Sequence, residues 1–512
     1  MASPLETRIA EGRGRQIGRN IISSYAGQTV SILTPLILIP LYTRLLGHAA
    51  YGQWLMIQSV AVYLGLGNFG TSQSVGNRIT ESVAGGRHEE LGQTVSTSFF
   101  GYGMVAAVIT VICAFTAHWI FRDVSGEGDA HVAIAFVILA VLLLSSWPLR
   151  VGALVLRGFE RVDQDQAVSA GSAILRLVGT AAVLYGGMKL VGVALVQGGT
   201  TLLYGLGVSL LAMRFTPDAR PHLSRFSRRV MRSLAKPSLS FFIMDASTTL
   251  NFSVDNLVIG YVLGTTLVTS YSVPYRMLLT LGGLFSVLDN ALRPTLTTRF
   301  VRGEYDMLYS GLTLLLRMAF LYVTLVAFLS WMVGPEILRV WAGAGVFPGK
   351  YVFGMQIAVF MMGVLIDPPL TVLYATTKHY GFAKFALTEG LLNLVLSLWW
   401  VRYWGLGGVI GGTLTARVLT TLWYTPWAAF TLLDTRFDRF FRDMWPAAAI
   451  CVGAIVCAIS LDRVAAGNRV FLFGSAAAGG LVIVALYAFT AFSGLERRAA
   501  LSWITGRSSP AT

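Results

Sequence analysis

The chain carries little charge for its length. Of its 512 residues, 12% are charged and 55% are hydrophobic, whereas soluble globular domains carry about 25% charged residues. So few charges cannot cover a surface that faces water. The mean hydropathy of +0.65 is an average over the whole sequence, which excludes a soluble enzyme with a single anchor helix. The composition therefore predicts a polytopic membrane protein.

Residues and motifs that usually carry chemistry are also scarce. The three cysteines, Cys113, Cys451 and Cys457, fall within apolar runs, and the six histidines lie in or beside different loops, so neither set has the spacing of a metal or redox site. The chain has no GxxxxGK[ST] loop for ATP. The segment GLGNFG at 65–70 fits GxGxxG, but it lies in an apolar stretch with no strand before it, which argues against a dinucleotide site. We expect no metal, no cofactor and no enzymatic activity.

Apolar runs long enough to cross a bilayer occur throughout the chain. A crossing helix needs about 20 apolar residues, and fourteen segments satisfy this approximately. They are 20–46, 50–76, 95–118, 132–155, 167–187, 190–213, 238–264, 268–291, 309–333, 351–376, 381–402, 405–430, 446–462 and 470–492. The basic start of the chain shows no small-residue cleavage site, so we expect the first helix to be retained. The predicted fold is all-α, with about 14 transmembrane helices.

The lysines and arginines predict the orientation. If the N-terminus is cytoplasmic, 27 of them fall on the cytoplasmic side, 8 on the other side and four inside spans. Positive residues concentrate in short cytoplasmic loops, so both termini are predicted to be cytoplasmic. The net charge of +14 is then explained by attraction of these loops to the anionic lipids of the inner leaflet. We therefore expect no nucleic-acid partner.

The sequence contains an internal duplication. Shifting it by 217 residues aligns Leu45–Gly47 with Val262–Gly264, Gly86 with Gly303 and Arg161 with Lys378. After a single-residue gap, Leu190–Ala194 meets Leu406–Ile410. A repeat of six helices places both halves in the same direction, as in transporters that rock about a central site.

The repeat predicts four parts of the chain. These are an N-terminal lobe at 1–215 with helices 1 to 6, a basic cytoplasmic linker at 216–236, a C-terminal lobe at 237–431 with helices 7 to 12, and helices 13 and 14 with a cytoplasmic tail at 432–512. The basic residues of the linker are expected either to lie on an interfacial helix at the headgroups or to act only as a topology signal.

Four stretches, at corresponding places in both halves, carry a family resemblance. They are Ile37–Trp54, LGNFGTSQSVGNRI at 66–79, Thr249–Gly264 and Leu288–Leu296. They resemble the Wzx-type flippases, the polysaccharide branch of the multidrug, oligosaccharidyl-lipid and polysaccharide exporter (MOP) superfamily. The resemblance implies two six-helix lobes in a V around a hydrophilic cavity. Alternating access would carry an undecaprenyl-diphosphate-linked glycan from the cytoplasmic to the periplasmic leaflet of the bacterial inner membrane.

The resemblance also implies a place in O-antigen or exopolysaccharide synthesis, with membrane lipids, a polysaccharide polymerase and chain-length machinery as partners. A chain of fourteen helices resembles the lipid II flippases, which also have fourteen. In those proteins the last two helices help to form a groove for the lipid tail.

Ionisable residues within the apolar runs are the candidate site residues, because a charge at bilayer depth is costly and usually faces a wet interior. Nine qualify: Arg176, Asp245, Asp255, Arg276, Asp289, Arg317, Asp367, Glu389 and Arg417. Thr248, Asn251 and Asp255 share one helical face. Asp255 and Arg276 lie at about the same depth, roughly 13 Å inward from one outer turn, and are expected to pair. The pair either holds helices seven and eight together, or it borders the cavity and exchanges its ionic partners when substrate or a coupling ion enters.

Arg176 and Arg417 fall near the middle of their spans, where a planar guanidinium can hold a diphosphate bidentately. Arg44 matches an arginine common in the family, although anchoring at the headgroups explains it equally well. The predicted substrate-binding set is Arg176, Arg276, Arg417, Arg44 and Asn251. The predicted ion-coupling or charge-pair set is Asp255, Asp245, Glu389 and Asp367.

Two prolines and two of these charges carry structural expectations. Pro368 and Pro369 follow Asp367 and are expected to break span ten. Arg317 and Asp289 lie nearer the cytoplasmic helix ends, where snorkelling to the headgroups is the simpler explanation.

Two other functions remain open. A multidrug or organic-cation exporter favours an acidic, aromatic-lined cavity, whereas the three arginines Arg176, Arg276 and Arg417 favour anions. A polysaccharide polymerase or ligase typically has a large periplasmic loop with catalytic residues, and the longest outer loop here, near 334–350, is short and lacks histidine.

Overall fold

The fold is entirely helical where it is described. The computed structural model describes residues 27, 29–30, 33–121, 130–376, 380–435, 437–465 and 468–491, and within these ranges there is no strand. The predicted all-α class is confirmed. Thr248 and Asn251 lie on a described helix, but their side chains are outside the described part of the chain, as is Lys378.

Seventeen helices are described. The first nine are α1 (Leu33–Leu46), α2 (His48–Leu64), α3 (Thr71–Ala84), α4 (His88–Phe121), α5 (Ala130–Leu149), α6 (Val151–Gly158), α7 (Val162–Tyr185), α8 (Lys189–Phe215) and α9 (Arg228–Val262). The others are α10 (Thr265–Val301), α11 (Tyr305–Ala342), α12 (Lys350–Ala375), α13 (Tyr380–Trp404), α14 (Leu406–Leu419), α15 (Thr421–Leu432), α16 (Phe437–Ala465) and α17 (Arg469–Leu486).

The predicted apolar runs coincide with helices. Ten of the fourteen fall on one helix each, and the second, fourth and twelfth are divided between α2 and α3, α5 and α6, and α14 and α15. Of the first run, 20–46, the part described from residue 33 onward is α1. Among the described residues, nine helical segments are long and apolar enough to cross a membrane. The multi-pass character is therefore confirmed, and the number fourteen stays a prediction.

The chain divides into two compact units, Met1–Thr269 and Ser270–Thr512. In the first unit α5 packs against α4 and α8, and α7 packs against α8. In the second unit α11 packs against α12, α16 and α17. The four parts predicted from the repeat, 1–215, 216–236, 237–431 and 432–512, stay a prediction.

The last two helices dock on α11 through one tyrosine. The Tyr487 hydroxyl lies 2.9 Å from Thr324 Oγ1 on α11 and donates to the Ala447 carbonyl of α16 at 2.8 Å. Around it, Phe328 packs against the alanines and glycines of α16 and α17, and a Cβ at Gly479 would lie 2.3 Å from Phe328 Cζ. These helices are thus an integral part of the second unit.

The segment before α9 does not form a separate helix, which was one of the two arrangements expected for the linker. Residues 217–225 form two short 3₁₀ turns, and two of the segment's backbone amides bond to α4. The amide of His222 donates to Ser96 Oγ at 3.1 Å, and that of Ser227 donates to Thr97 Oγ1 at 3.0 Å. Side-chain hydroxyls of α4 thus satisfy backbone groups that a helix would have bonded internally. The arginines from Arg228 onward belong to α9 itself.

The membrane sidedness gives a first testable prediction. Because of the 27 to 8 charge asymmetry, we expect a reporter fused after Arg225 to be cytoplasmic and one fused after Gly343, which caps α11, to be periplasmic. Paired alkaline phosphatase and green fluorescent protein fusions measure this directly. A periplasmic signal at Arg225 would contradict the parallel repeat.

Candidate transport site

Glycines on α14 bring its backbone against that of α13. A Cβ at Gly408 would lie 2.2 Å from the Trp400 carbonyl oxygen, and one at Gly412 would lie 2.7 Å from Ser397 Oγ and 2.9 Å from Ser397 N. Only glycine allows such an approach. The contact brings the polar end of α14 into the interior of the second unit.

A buried ion pair lies at that end. Arg417 Nε donates to Glu389 Oε1 at 3.0 Å, and Arg417 Nη1 donates to the Val359 carbonyl oxygen at 3.1 Å. The arginine side chain is 11% exposed and the glutamate side chain 3%. The pair therefore joins α12, α13 and α14, and it is a charge-assisted bond shielded from solvent.

The helix breaks beside this pair. Thr420 has φ −125° and ψ −91°, so α14 ends at Leu419 and α15 begins at Thr421. The Thr421 hydroxyl donates to Glu389 Oε2. The Thr420 hydroxyl donates to the Ala416 carbonyl at 2.6 Å and lies 3.4 Å from the same Glu389 oxygen. Glu389 thus accepts hydrogen bonds from Arg417 and Thr421 where the predicted span twelve is interrupted. Discontinuous helices of this kind frequently form transport sites.

The break was expected at Asp367, Pro368 and Pro369, and that prediction is wrong. Both prolines lie inside α12, which continues to Ala375. Proline removes its own N–H donor, so the carbonyls of Val364 and Leu365 lose their usual helical partners, a loss that transmembrane helices tolerate where other groups satisfy the freed carbonyls.

Two further carboxylates lie next to the ion pair, Asp367, which is half-buried, and Asp289, which is buried. Ser286 Oγ approaches Asp367 Oδ2 at 3.5 Å, and the Thr371 hydroxyl donates to Asp289. Asp367 interacts electrostatically with Asp289, Arg417 and Arg293. Asp289 is 4% exposed, so the snorkelling expected for it is wrong. Its neighbour Thr371 supplies the polar contact that the headgroups would have given.

Arg293 completes the cluster on α10. Its guanidinium lies 4.9 Å from the centre of the Tyr374 ring. Among the described residues, Asp289 Oδ1 and Arg293 Nε have no hydrogen-bond partner. The cluster therefore holds two basic and three acidic groups, namely Arg417, Arg293, Glu389, Asp367 and Asp289, and can exchange hydrogen bonds with an entering ion.

In the first unit, Arg176 has a different environment. It is half-buried on α7, where Nε donates to Thr200 Oγ1 of α8 at 3.4 Å. It also interacts electrostatically with Tyr42. No carboxylate within the described residues forms a salt bridge with it. Arg44 lies in the π-helical end of α1 with an exposed side chain.

The remaining predicted residues are distributed over α9 and α10. Asp255 is 5% exposed and interacts with the Tyr63 hydroxyl. Asp245 is exposed, and Arg276 is half-buried. Asp255 belongs to the first unit and Arg276 to the second, and their pairing stays a prediction. Asn251 is a predicted ligand whose side chain lies outside the described part.

Of the predicted residues, the structure brings together Arg417, Glu389 and Asp367. The sequence reasoning missed the hydroxyl groups of Thr420 and Thr421. Their position beside an intramembrane arginine was the available signal, because Thr420 and Arg417 are three residues apart.

A family model described as polysaccharide biosynthesis protein matches residues 17–300, which is more than half of the chain. No curated protein matches the sequence significantly.

Several solved structures share the fold. The lipid II flippase MurJ, in an inward closed conformation, matches with a TM-score of 0.71 and 11% identity, covering 94% of this chain and 99% of its own. An inward-facing multidrug resistance MATE family transporter of the MOP superfamily matches with a TM-score of 0.61 and 15% identity, over 78% and 95% of the two chains. A MOP superfamily transporter from Pyrococcus furiosus, described as having a binding pocket of reverse polarity, matches with a TM-score of 0.53 and 16% identity, over 82% and 96%. At these identities the matches establish the fold.

Proposed function

Because the chain belongs to the polysaccharide biosynthesis protein family, we propose that it is a flippase for a polyprenyl-diphosphate-linked oligosaccharide. It would move this lipid from the cytoplasmic to the periplasmic leaflet of a bacterial inner membrane by alternating access. A polysaccharide polymerase and chain-length machinery are the partners expected to receive the product.

The observation that carries the proposal is the environment of Arg176. It lies nine residues before the end of α7, about 13 Å along the helix axis from its nearer end. Its side chain donates a hydrogen bond to a neutral hydroxyl, that of Thr200. A guanidinium at such depth is costly unless an anion compensates it, and a diphosphate is an anion that matches its planar fork.

The cluster around Arg417 supports a coupling role in the same proposal. Its guanidinium is already bonded to Glu389 and to the Val359 carbonyl. Binding of an anion to Arg417 therefore requires Glu389 to exchange its partner for a proton or a metal cation. An ion gradient acting on Glu389 and Asp367 would then drive transport, and Asp255 and Asp245 are further candidates in the first unit.

A flipping assay tests the function. The purified chain in proteoliposomes is given a fluorescent polyprenyl-diphosphate oligosaccharide, and the fraction that becomes accessible in the opposite leaflet is followed over time. We expect Arg176→Ala to lower the initial rate about tenfold or more, and Arg176→Lys to retain part of it because the charge remains without the planar fork. The matched control is Arg214→Ala, an exposed arginine at the end of α8, which should flip at the wild-type rate.

Two results would contradict the proposal. One is a wild-type rate in Arg176→Ala. The other is transport of an organic cation such as ethidium in the absence of lipid flipping, which would favour the multidrug exporters that share the fold. A polymerase or ligase is less well supported because residues 343–349, between α11 and α12, form a loop of only seven residues.

A further inference from the structure

A small polar cavity lies among the helices of the first unit. Its volume is about 190 Å³, and Arg150, Arg157, Tyr102 and Tyr204 line it together with Asn68. By sequence, both arginines are among the 27 cations of the cytoplasmic side, Arg150 inside the apolar run 132–155 and Arg157 two residues after it. The structure places Arg150 at the junction of α5 and α6 and Arg157 within α6.

The two arginines give this cavity a positive lining. Arg157 Nε donates to Asp165 Oδ2 at 2.7 Å, and the Tyr204 hydroxyl donates to Asp165 Oδ1 at 2.7 Å. Asp165 is 1% exposed, so these bonds satisfy the carboxylate and fix Arg157 by one nitrogen. The arginine side chain remains 54% exposed, which leaves its two terminal nitrogens accessible.

Arg150 is the less constrained of the two. Its side chain is exposed, and among the described residues no hydrogen bond or salt bridge engages it. It interacts electrostatically with the hydroxyls of Tyr102 and Tyr204. No carboxylate is among the residues that line the cavity. The lining therefore presents two cations and two phenols to whatever enters.

The cavity volume limits the size of the ligand. It is smaller than the pockets of about 300 to 1,000 Å³ that hold drug-sized molecules. A phosphate or diphosphate group fits, but a chain of sugars does not. Arginine pairs are also the preferred protein ligands of phosphate oxygens.

An apolar groove of about 420 Å³ adjoins the polar cavity. It is lined by Phe69, Met104, Leu239 and Phe242, among others, and Asn68 and Tyr102 line both spaces. Thr71 Oγ1 donates to the Tyr102 hydroxyl at 2.9 Å, which holds this shared ring in place. One layer of side chains therefore connects a site for an anion to a site for a hydrocarbon.

The turn between α2 and α3 forms the wall of the groove. Gly70 has φ +67°, and a Cβ there would lie 2.3 Å from Phe242 N and 2.5 Å from the Ser238 carbonyl oxygen of α9. The rings of Phe69 and Phe242 lie 5.8 Å apart. The GLGNFG segment, which looked like a dinucleotide motif, is thus a close contact that shapes the groove.

We propose that the two spaces together bind the carrier lipid, with its phosphate between Arg150 and Arg157 and the first part of its prenyl chain in the groove. The proposal rests on the proposed flippase function and adds a lipid site in the first unit, separate from Arg176 and Arg417. The cationic polar cavity suits a phosphate group and the adjoining apolar groove suits a hydrocarbon chain, so the two together favour a ligand that contains both.

Equilibrium binding of radiolabelled undecaprenyl phosphate to the full chain in nanodiscs tests the site, with inorganic pyrophosphate and phosphatidylglycerol as competitors. We expect Arg150→Gln to raise the Kd for undecaprenyl phosphate about tenfold or more and to weaken competition by pyrophosphate. Leu239→Gln, at a groove residue that is 59% exposed, should raise the Kd for the lipid while leaving competition by pyrophosphate unchanged. The matched control is Arg161→Gln, because Arg161 stacks on Phe215 at 3.5 Å outside the cavity lining.

The outcomes separate this site from the flippase function. Wild-type binding by Arg150→Gln, with an unchanged melting temperature, overturns the site even if the wild-type chain flips lipid. Equal competition by phosphatidylglycerol overturns the carrier lipid in favour of a general phospholipid site. If the wild-type chain binds undecaprenyl phosphate through Arg150 but does not flip it, the site stands and the flippase function fails.

Discussion

Arg417→Ala is expected to abolish lipid flipping and to lower the free energy of unfolding by about 3 to 5 kcal/mol. Glu389 is 3% exposed and receives its charged hydrogen bond from Arg417 at 3.0 Å. Removing the arginine leaves a buried carboxylate with the Thr421 hydroxyl as its close hydrogen-bond donor. The cost of that uncompensated charge is what the measurement detects. Thermal unfolding in detergent and the proteoliposome flipping rate are recorded for the same preparations.

The double variant separates stability from transport. Glu389→Gln alone leaves the arginine charge without its ionic partner, so it should also destabilise, whereas Arg417→Ala with Glu389→Gln should recover much of the loss because neither charge of the pair is then left without the other. We expect the recovered double variant to be inactive, since the anion-binding group is gone. Additive effects in the double-mutant cycle would show that the two side chains are not energetically coupled, and an active double variant would assign the pair a purely structural role.

An exposed pair provides the control. Arg339 and Glu336 are three residues apart on α11 and lie 3.2 Å from each other, with the arginine side chain 55% exposed. Surface pairs of this kind contribute about 0 to 1 kcal/mol. Arg339→Ala should therefore change neither the melting temperature nor the flipping rate measurably.

The positions of the helices could be predicted because a membrane imposes them. A segment in hydrocarbon must satisfy its backbone groups internally, so an apolar run of about 20 residues predicts a helix without further information. The interruptions could not be predicted in the same way. Pro368 and Pro369 predicted the break of span ten, yet α12 continues through them. The break lies at Thr420 in span twelve, and residues 413–425 around it contain no proline or glycine.

The residues that form the site were more predictable than the hydrogen bonds and ion pairs between them. Arg417, Glu389 and Asp367 were selected because charges in apolar runs are expensive. That Arg417 bonds Glu389, 28 residues earlier, depends on how closely α14 approaches α13, and hydropathy does not report this distance. The same limit applies to Arg150 and Arg157, which lie at and just beyond the end of a predicted span. Linear sequence near the end of a span does not show which side chains line an interior.

Gly408→Ala is expected to lower the flipping rate about tenfold or more and to destabilise the chain by about 1 to 3 kcal/mol. The added Cβ would lie 2.2 Å from the Trp400 carbonyl oxygen, a backbone atom that cannot move aside as a side chain can. Since carbon and oxygen atoms in contact normally stay about 3.3 Å apart, α14 must shift by roughly 1 Å from α13. That shift lengthens the 3.0 Å bond between Arg417 and Glu389.

Gly411→Ala is the matched control within the same helix, and its stability effect should have the opposite sign. A Cβ at Gly411 would meet the flexible end of Met355 at an ordinary 3.4 Å, so the substitution creates no clash. Alanine is favoured over glycine inside a helix by about 1 kcal/mol, so the melting temperature should stay equal or rise. Flipping should continue at the wild-type rate. Equal losses of activity in both variants would show that the close approach of α13 and α14 does not position the ion pair, whereas a loss confined to Gly408→Ala ties transport to that contact.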